Sequence, residues 1–233
     1  MNGIEYVLPA EIEKRSFEII ASELASKNIV LPVDEKPVTM RVIHTTADFE
    51  YAETMCYSAG AVAAARSLLL EGADIVTDTN MAKSGINKKV LALYGGHLHC
   101  FMADDDVAEE ARKRKVTRAS VSMERAAALH KKVIFAIGNA PTALISLYEM
   151  MEKGVFTPDF VIGVPVGFVN VVAAKELFLN DGESRSEKPR VPYIINKGRK
   201  GGSGVAAAIC NALLYGLAGY DLPDERGVRG GAV

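Results

Sequence analysis

The sequence feature that most constrains the fold is a regular alternation of short, apolar, strand-like runs with helix-like segments. Such alternation is typical of βαβ units, which build a mostly parallel sheet with helices on both faces. We therefore predict an α/β protein. The predicted strands cover residues 38–45, 74–77, 97–102, 133–137, 160–164 and 191–195. The predicted helices are one opened by Pro9 and those over residues 59–70, 107–113, 118–129, 141–153, 169–179 and 203–215.

Composition narrows the class of protein further. The 233 residues are 49% hydrophobic, enough to bury a large core in one domain or at most two. A net charge of −2 argues against a nucleic-acid partner, because such binding needs clustered positive charge. Three widely spaced cysteines argue against a disulfide framework and favour a reducing cytoplasm. One charge-free run, residues 160–174, is too short to span a bilayer, and we expect no membrane partner.

Residues 197–204, with the sequence Lys-Gly-Arg-Lys-Gly-Gly-Ser-Gly, form what we call the glycine loop. Its four glycines allow a tight turn and a close approach of the backbone to a ligand. Arg199, Lys200 and the N–H groups of the following helix favour anions. The spacing matches neither a P-loop nor a dinucleotide fingerprint. The loop therefore predicts a pocket for a negatively charged small molecule, the alternative being only a tight strand-to-helix turn.

His44 is the candidate proton donor. We predict it at the end of the strand 38–45, and ligands of parallel sheets bind beyond the carboxyl ends of the strands. An imidazole titrates near pH ~6.5, so it can hold or release a proton under ordinary conditions. The alternative is a core histidine with both nitrogens hydrogen-bonded. On the same argument, segments 44–48, 77–80, 138–142 and 165–167 and the glycine loop should meet at one edge of the sheet, which we call the rim.

Several other polar residues have both a functional and a structural interpretation. Arg41 and Arg118 could each grip a carboxylate or form a structural ion pair. Ser16 lies on the predicted apolar stripe of the first helix, where a serine often bonds to its own helix, and Arg15 could extend to solvent. Asn139 could turn its amide toward a ligand or simply begin a helix.

No metal site is predicted from the histidines. His97 and His99 share one face of a predicted strand, but no third ligand lies at suitable spacing. One well-placed histidine, an anion-binding loop and scattered arginines suit a non-redox rearrangement of a polyanionic substrate better than hydrolysis or phosphoryl transfer.

Six stretches of the chain are similar to the precorrin-8X methylmutase (precorrin isomerase) family of cobalamin biosynthesis, including its cobalt-precorrin-8 counterpart. They occur in order at residues 15–17, 41–48, 117–119, 138–144, 165–169 and 198–203. The resemblance spans nearly the whole chain, as one domain over residues 1–218 followed by a glycine-rich, flexible tail over residues 219–233. It implies a three-layer α/β/α fold, a homodimer, a tetrapyrrole substrate and no organic cofactor.

The resemblance also implies the reaction and the residues that perform it. A methyl group moves from C-11 to C-12 of the corrin precursor, and His44 protonates the macrocycle near ring C. The acetates and propionates of the substrate would be bound by ten residues. These are Arg15, Ser16, Arg41, Thr45, Arg118, Asn139, Lys200, Gly201, Gly202 and Ser203.

One departure from the family pattern lies after residue 169. The family usually has Glu-Ser-Lys where this chain has Ala173, Ala174 and Lys175. Two other functions stay open: a non-catalytic corrinoid carrier, and a sugar-phosphate or nucleotide isomerase that uses the same glycine loop.

Overall fold

A six-stranded sheet lies at the centre of the computed structural model, which describes residues 6–181 and 191–219. The order of its strands is β1-β6-β5-β4-β2-β3. β1 is antiparallel to β6, and all other neighbours are parallel. The strands are β1 (Met55–Tyr57), β2 (Asp74–Thr77), β3 (Leu98–His99), β4 (Val133–Ile137), β5 (Phe160–Gly163) and β6 (Tyr193–Asn196).

Helices connect the strands, and a 3-10 turn over Pro9–Glu11 precedes the first of them. The first six are α1 (Ile12–Ser26), α2 (Lys36–Thr46), α3 (Tyr51–Thr54), α4 (Ala61–Leu70), α5 (Asn80–Gly85) and α6 (Lys88–Leu93). The other five are α7 (Asp105–Arg114), α8 (Arg118–Ala127), α9 (Pro141–Glu152), α10 (Val171–Leu179) and α11 (Ser203–Leu217).

The sheet separates two apolar layers, as the alternation of side chains along β4 illustrates. Ile134 and Ala136 join a core with α1, α2, α4, α6 and α11, whereas Val133, Phe135 and Ile137 face α8, α9 and α10. Successive side chains of a strand point to opposite faces, so a strand covered on both sides is apolar throughout. The predicted α/β class and the three-layer architecture implied by the family resemblance are confirmed.

The prediction of a strand over residues 38–45 was wrong, because this segment forms the helix α2. Pro37 lies in its first turn, where the fixed φ of proline suits a helix. Its apolar residues at 38, 40 and 42 match a strand period, but those at 38, 42 and 43 match a helical one equally well. All of these positions are buried. Packing of α2 against α1 and α11 therefore outweighs the strand preference of its β-branched residues.

Other differences from the predicted elements are smaller. β1 was not predicted, since a three-residue antiparallel edge strand leaves little periodic signal. The strand predicted over 97–102 contracts to Leu98–His99. Residues 220–233 lie outside the described residues, so the flexible tail stays a prediction. Within residues 6–181 and 191–219, no helix is both long and apolar enough to cross a membrane.

Candidate functional site

The loops that follow the parallel strands meet at the predicted rim. Asp78, just after β2, accepts hydrogen bonds from the backbone N–H groups of Gly138, Asn139 and Ala140, at 2.9, 2.8 and 2.6 Å. Burial raises the pKa of this carboxyl group, while the three N–H donors act in the opposite direction. The loop after β4 is thereby tied to the loop after β2.

The glycine loop packs tightly against its neighbours, and this requires glycine at particular positions. Gly201 has a φ of 155°, and a Cβ atom there would lie 2.1 Å from the carbonyl oxygen of Val164. A Cβ atom on Gly138 would lie 2.8 Å from the carbonyl oxygen of Gly202. Beside them, the hydroxyl groups of Thr79 and Ser203 are hydrogen-bonded at 2.7 Å. The loops after β2, β4, β5 and β6 therefore form one continuous surface.

His44 reaches this region from the last turn of α2 rather than from the end of a strand. The helix stops at Ala47, which has a φ of 52°, in the left-handed region. The His44 side chain is exposed, and its ring is stacked on Phe17 of α1 with centroids 5.0 Å apart. In the described part of the chain its ring nitrogens make no hydrogen bond. The alternative of a core histidine with satisfied nitrogens is therefore wrong.

Thr45 and Arg41 lie beside His44 on α2. The Thr45 hydroxyl group donates to the carbonyl oxygen of Arg41 at 2.9 Å, and its methyl group lies 3.9 Å from where a Cβ atom on Gly204 would be. This contact places the end of α2 against the glycine loop. The guanidinium group of Arg41 forms an ion pair with Glu13 and lies 4.8 Å from the centre of the Phe17 ring. Arg41 thus forms the structural ion pair that was the alternative to binding a substrate carboxylate.

The ammonium group of Lys200 joins the glycine loop to the turn after α2. It is hydrogen-bonded to the carboxylates of Asp48, at 2.5 Å, and Glu50, at 2.7 Å. These bonds raise the pKa of Lys200, and the bond from Lys200 lowers the pKa of Asp48. A substrate carboxylate would have to compete with both acidic side chains for this cation.

Four of the predicted binding residues are placed by neighbours other than His44 and the glycine loop. Ser16 donates to the carbonyl oxygen of Ile12, the within-helix bond that was its alternative interpretation. Arg15 lies 3.6 Å from Glu18, and a rotation of about 100° per residue puts it on a different side of α1 from Phe17. Arg118 begins α8 with an exposed side chain.

The last of the four, Asn139, is exposed, and its backbone N–H is bound by Asp78. The start of α8 is held to the start of α9 by a 3.0 Å hydrogen bond from Thr117 to Thr142. Arg118 and Asn139 therefore lie at the starts of two helices that are held together.

His97 and His99 both lie close to Asp74, the first residue of β2. His99 Nε2 lies 3.0 Å from Asp74 Oδ2, and His97 Nδ1 lies 3.4 Å from Asp74 Oδ1. Among residues 6–181 and 191–219, no group of three or more histidine, cysteine or acidic side chains is arranged to hold a metal ion.

Two residues that sequence reasoning left out of the site are important to it. Phe17 is buried, and the ring of His44 stacks on it. From sequence alone, a phenylalanine on the first helix indicates only a core position. Lys175 of α10 is 1% exposed, and its ammonium group donates to two carbonyl oxygens of the glycine loop. A lysine among Ala174, Leu177 and Phe178 is an unusual polar residue on a helix with an apolar face, and that pattern was the available signal.

The fold and the site define a class: an α/β protein whose sheet rim carries an exposed imidazole beside a glycine-rich loop with two basic side chains. The sequence model of the precorrin-8X methylmutase family matches residues 11–216. A cobalt-precorrin-8 methylmutase of Priestia megaterium is 40% identical over 208 residues, covering 89% of this chain and 88% of the relative. A precorrin-8X methylmutase of Pseudomonas aeruginosa is 35% identical over 211 residues, covering 90% of this chain and 97% of the relative.

A solved structure is similar as well. The crystal structure of the precorrin-8X methylmutase from Thermus thermophilus superposes with a TM-score of 0.76 at 34% identity, covering 94% of this chain and 100% of that one. The chain therefore belongs to the precorrin-8X methylmutase family, and it is an isomerase of cobalamin biosynthesis. The family resemblance and the enzyme class predicted from sequence are confirmed.

Proposed function

We propose that this protein moves a methyl group from C-11 to C-12 of precorrin-8 or of its cobalt-containing counterpart, producing hydrogenobyrinic or cobyrinic acid. The names of the relatives support this reaction, and they include both forms of the substrate. We further propose that the protein acts in the cytoplasm as a homodimer. The reaction is an isomerisation, so it needs no external methyl acceptor and no organic cofactor.

The single observation that carries this proposal is the placement of His44. Its ring is exposed, stacked on Phe17 and free of hydrogen bonds to the described residues, at the end of α2 that touches the glycine loop. His44 donates a proton to the macrocycle near ring C, which makes the ring system electron-poor and eases migration of the methyl group. Because substrate and product are isomers, the macrocycle must release one proton in return. Proton donation of this kind contributes roughly 10²–10⁴-fold to a rate.

The remainder of the site binds the carboxylates of the substrate. Its acetate and propionate groups surround the macrocycle, so basic side chains and backbone N–H groups at several places along the rim can hold it in one orientation. The proposed binding residues are Arg15, Ser16, Arg41, Thr45, Arg118, Asn139, Lys200, Gly201, Gly202 and Ser203. Arg41 and Lys200 would exchange their present carboxylate partners for those of the substrate.

The test is conversion of purified precorrin-8 by wild-type protein and by His44→Ala, followed by absorption spectroscopy. We expect His44→Ala to lose turnover by at least a hundredfold and to keep its fold, because the side chain is exposed. His97→Ala is the matched control: this histidine is 68% exposed and faces Asp74, at the beginning of β2 and away from the rim.

Two outcomes would contradict the proposal. Full turnover by His44→Ala would show that the imidazole is not the proton donor. A wild-type protein that bound hydrogenobyrinic acid tightly and never converted precorrin-8 would favour the corrinoid carrier instead.

A further inference from the structure

A buried lysine is hydrogen-bonded to the backbone of the glycine loop. Lys175 Nζ donates to the carbonyl oxygens of Gly198 and Lys200, both at 2.8 Å. Its side chain is 1% exposed, and burial lowers its pKa to about 8. A buried ammonium group is costly unless it is hydrogen-bonded, and the partners of this one are backbone carbonyls of the glycine loop.

A second buried side chain completes the same arrangement. The amide nitrogen of Asn196 donates to the carbonyl oxygens of Lys197 and Lys200, each at 3.0 Å. The backbone N–H of Gly167 donates to the carbonyl oxygen of Arg199 at 3.1 Å. Four consecutive carbonyl groups of the glycine loop thus accept hydrogen bonds from the protein.

The geometry of the peptide bond then determines where the N–H groups of the loop point. In a planar trans peptide the N–H of one residue points opposite to the C=O of the residue before it. Because the carbonyls of Lys197, Gly198 and Lys200 point to the buried amines, the N–H groups of residues 198, 199 and 201 point away from them. Across residues 6–181 and 191–219, these three N–H groups find no hydrogen-bond acceptor.

We propose that Lys175 is a positioning residue that turns the carbonyls of the glycine loop inward and thereby leaves three outward N–H groups to bind a carboxylate of the substrate. This inference rests on the proposed function for the identity of the ligand. The free N–H groups of residues 198 and 199 are successive, the arrangement that forms a concave anion-binding surface, and the cationic side chains of Arg199 and Lys200 belong to the same segment. Without the ammonium group, the carbonyls of Gly198 and Lys200 lose a donor, and their peptides can rotate outward to meet water.

The experiment compares wild-type protein with Lys175→Met in titrations with hydrogenobyrinic acid and in turnover of precorrin-8. We expect Lys175→Met to stay folded and to bind the product at least tenfold more weakly, with a matching rise in KM. The kcat value should change less than threefold, since His44 is held by α1 and α2. Lys88→Met, an exposed lysine on α6, is the matched control and should behave as wild type.

A second ligand separates carboxylate binding from a general structural effect. The fully amidated form of hydrogenobyrinic acid has no carboxylates, so wild-type protein should prefer the acid and Lys175→Met should lose much of this preference. Product affinity within twofold of wild type in Lys175→Met, or an unchanged preference, would overturn the inference. If Lys175→Met does not fold, product binding by the wild-type protein between pH 7 and 9.5 provides the test, and an affinity that does not fall as the ammonium group loses its proton would overturn the inference.

These outcomes are distinguishable from failure of the proposed function. A wild-type protein that bound product without turnover would overturn the methylmutase reaction and still test the role of Lys175 by affinity. A wild-type protein that bound no corrinoid at all would overturn both.

Discussion

The imidazole ring of His44 is stacked on the phenyl ring of Phe17, with a 5.0 Å separation of centroids and 25° between the ring planes. One ring is exposed and the other is buried in the core between α1 and α2. The buried ring therefore limits the orientations of a side chain that would otherwise be mobile at the end of a helix. This contact joins the proposed chemistry to the packing of the first two helices.

The first prediction concerns Phe17→Leu, which keeps an apolar side chain and removes the flat ring. An aromatic stack contributes about 0.5–1.5 kcal/mol, so we expect kcat to fall roughly two- to tenfold with a small loss of stability. Phe178→Leu, a buried phenylalanine in the opposite layer, is the control for packing alone. Steady-state kinetics and thermal unfolding measure the two effects. Equal kcat values in the two variants would show that Phe17 only fills space.

The second prediction concerns Gly201→Ala and Gly198→Ala, two substitutions at positive φ with different surroundings. Gly198 has open space around a would-be Cβ atom, so alanine there should cost about 1–2 kcal/mol in the free energy of unfolding. Gly201→Ala should cost more and also weaken product binding, because its Cβ atom meets the carbonyl oxygen of Val164. Urea denaturation of both variants checks this. The expectation fails if Gly201→Ala is as stable as Gly198→Ala.

The third prediction concerns the acidic side chains that hold Lys200. If Lys200 binds the substrate, then Asp48→Asn combined with Glu50→Gln should strengthen product binding, since the cation no longer has competing carboxylates. We expect roughly a two- to fivefold gain, the range typical of an exposed ion pair, and a smaller one at high salt. Isothermal titration at two ionic strengths measures it. Weaker binding would mean that the pair serves to order the loop.

The fourth prediction concerns pH. Burial lowers the pKa of Lys175 from 10.5 to about 8, so between these values the unfolded chain binds more protons than the native one. The contribution of this group to stability therefore rises with pH across that window. Product affinity should fall over the same window, because a neutral amine holds the loop carbonyls less strongly. Dissociation constants between pH 7 and 9.5 should show this fall in wild type and a flatter curve in Lys175→Met.

Residues with strong local signals were predictable from sequence, and those that depend on distant partners were not. The glycines of the loop indicated a close backbone approach, which the contact of Gly201 with Val164 explains. The helix α2 was misread because its apolar spacing satisfies two periods, and only α1 and α11 decide between them. The ion pair of Arg41 with Glu13 joins residues on two different helices, so no local sequence pattern predicts it.

The alternation of apolar segments along the chain was enough to predict the α/β class, a mostly parallel sheet and the loops after β2, β4, β5 and β6 at one rim, because periodicity is a local property. It placed residues 44–48 there for the wrong reason, since the segment before them is a helix. Tertiary structure decided which groups in that rim are available. The ring of His44 is exposed and stacks on Phe17. Lys200 pairs with acidic side chains, and the buried Lys175 is hydrogen-bonded to the backbone of the glycine loop. Those relationships join residues that are far apart in the chain, and the physical reason is that burial and hydrogen bonding depend on which surfaces meet in three dimensions.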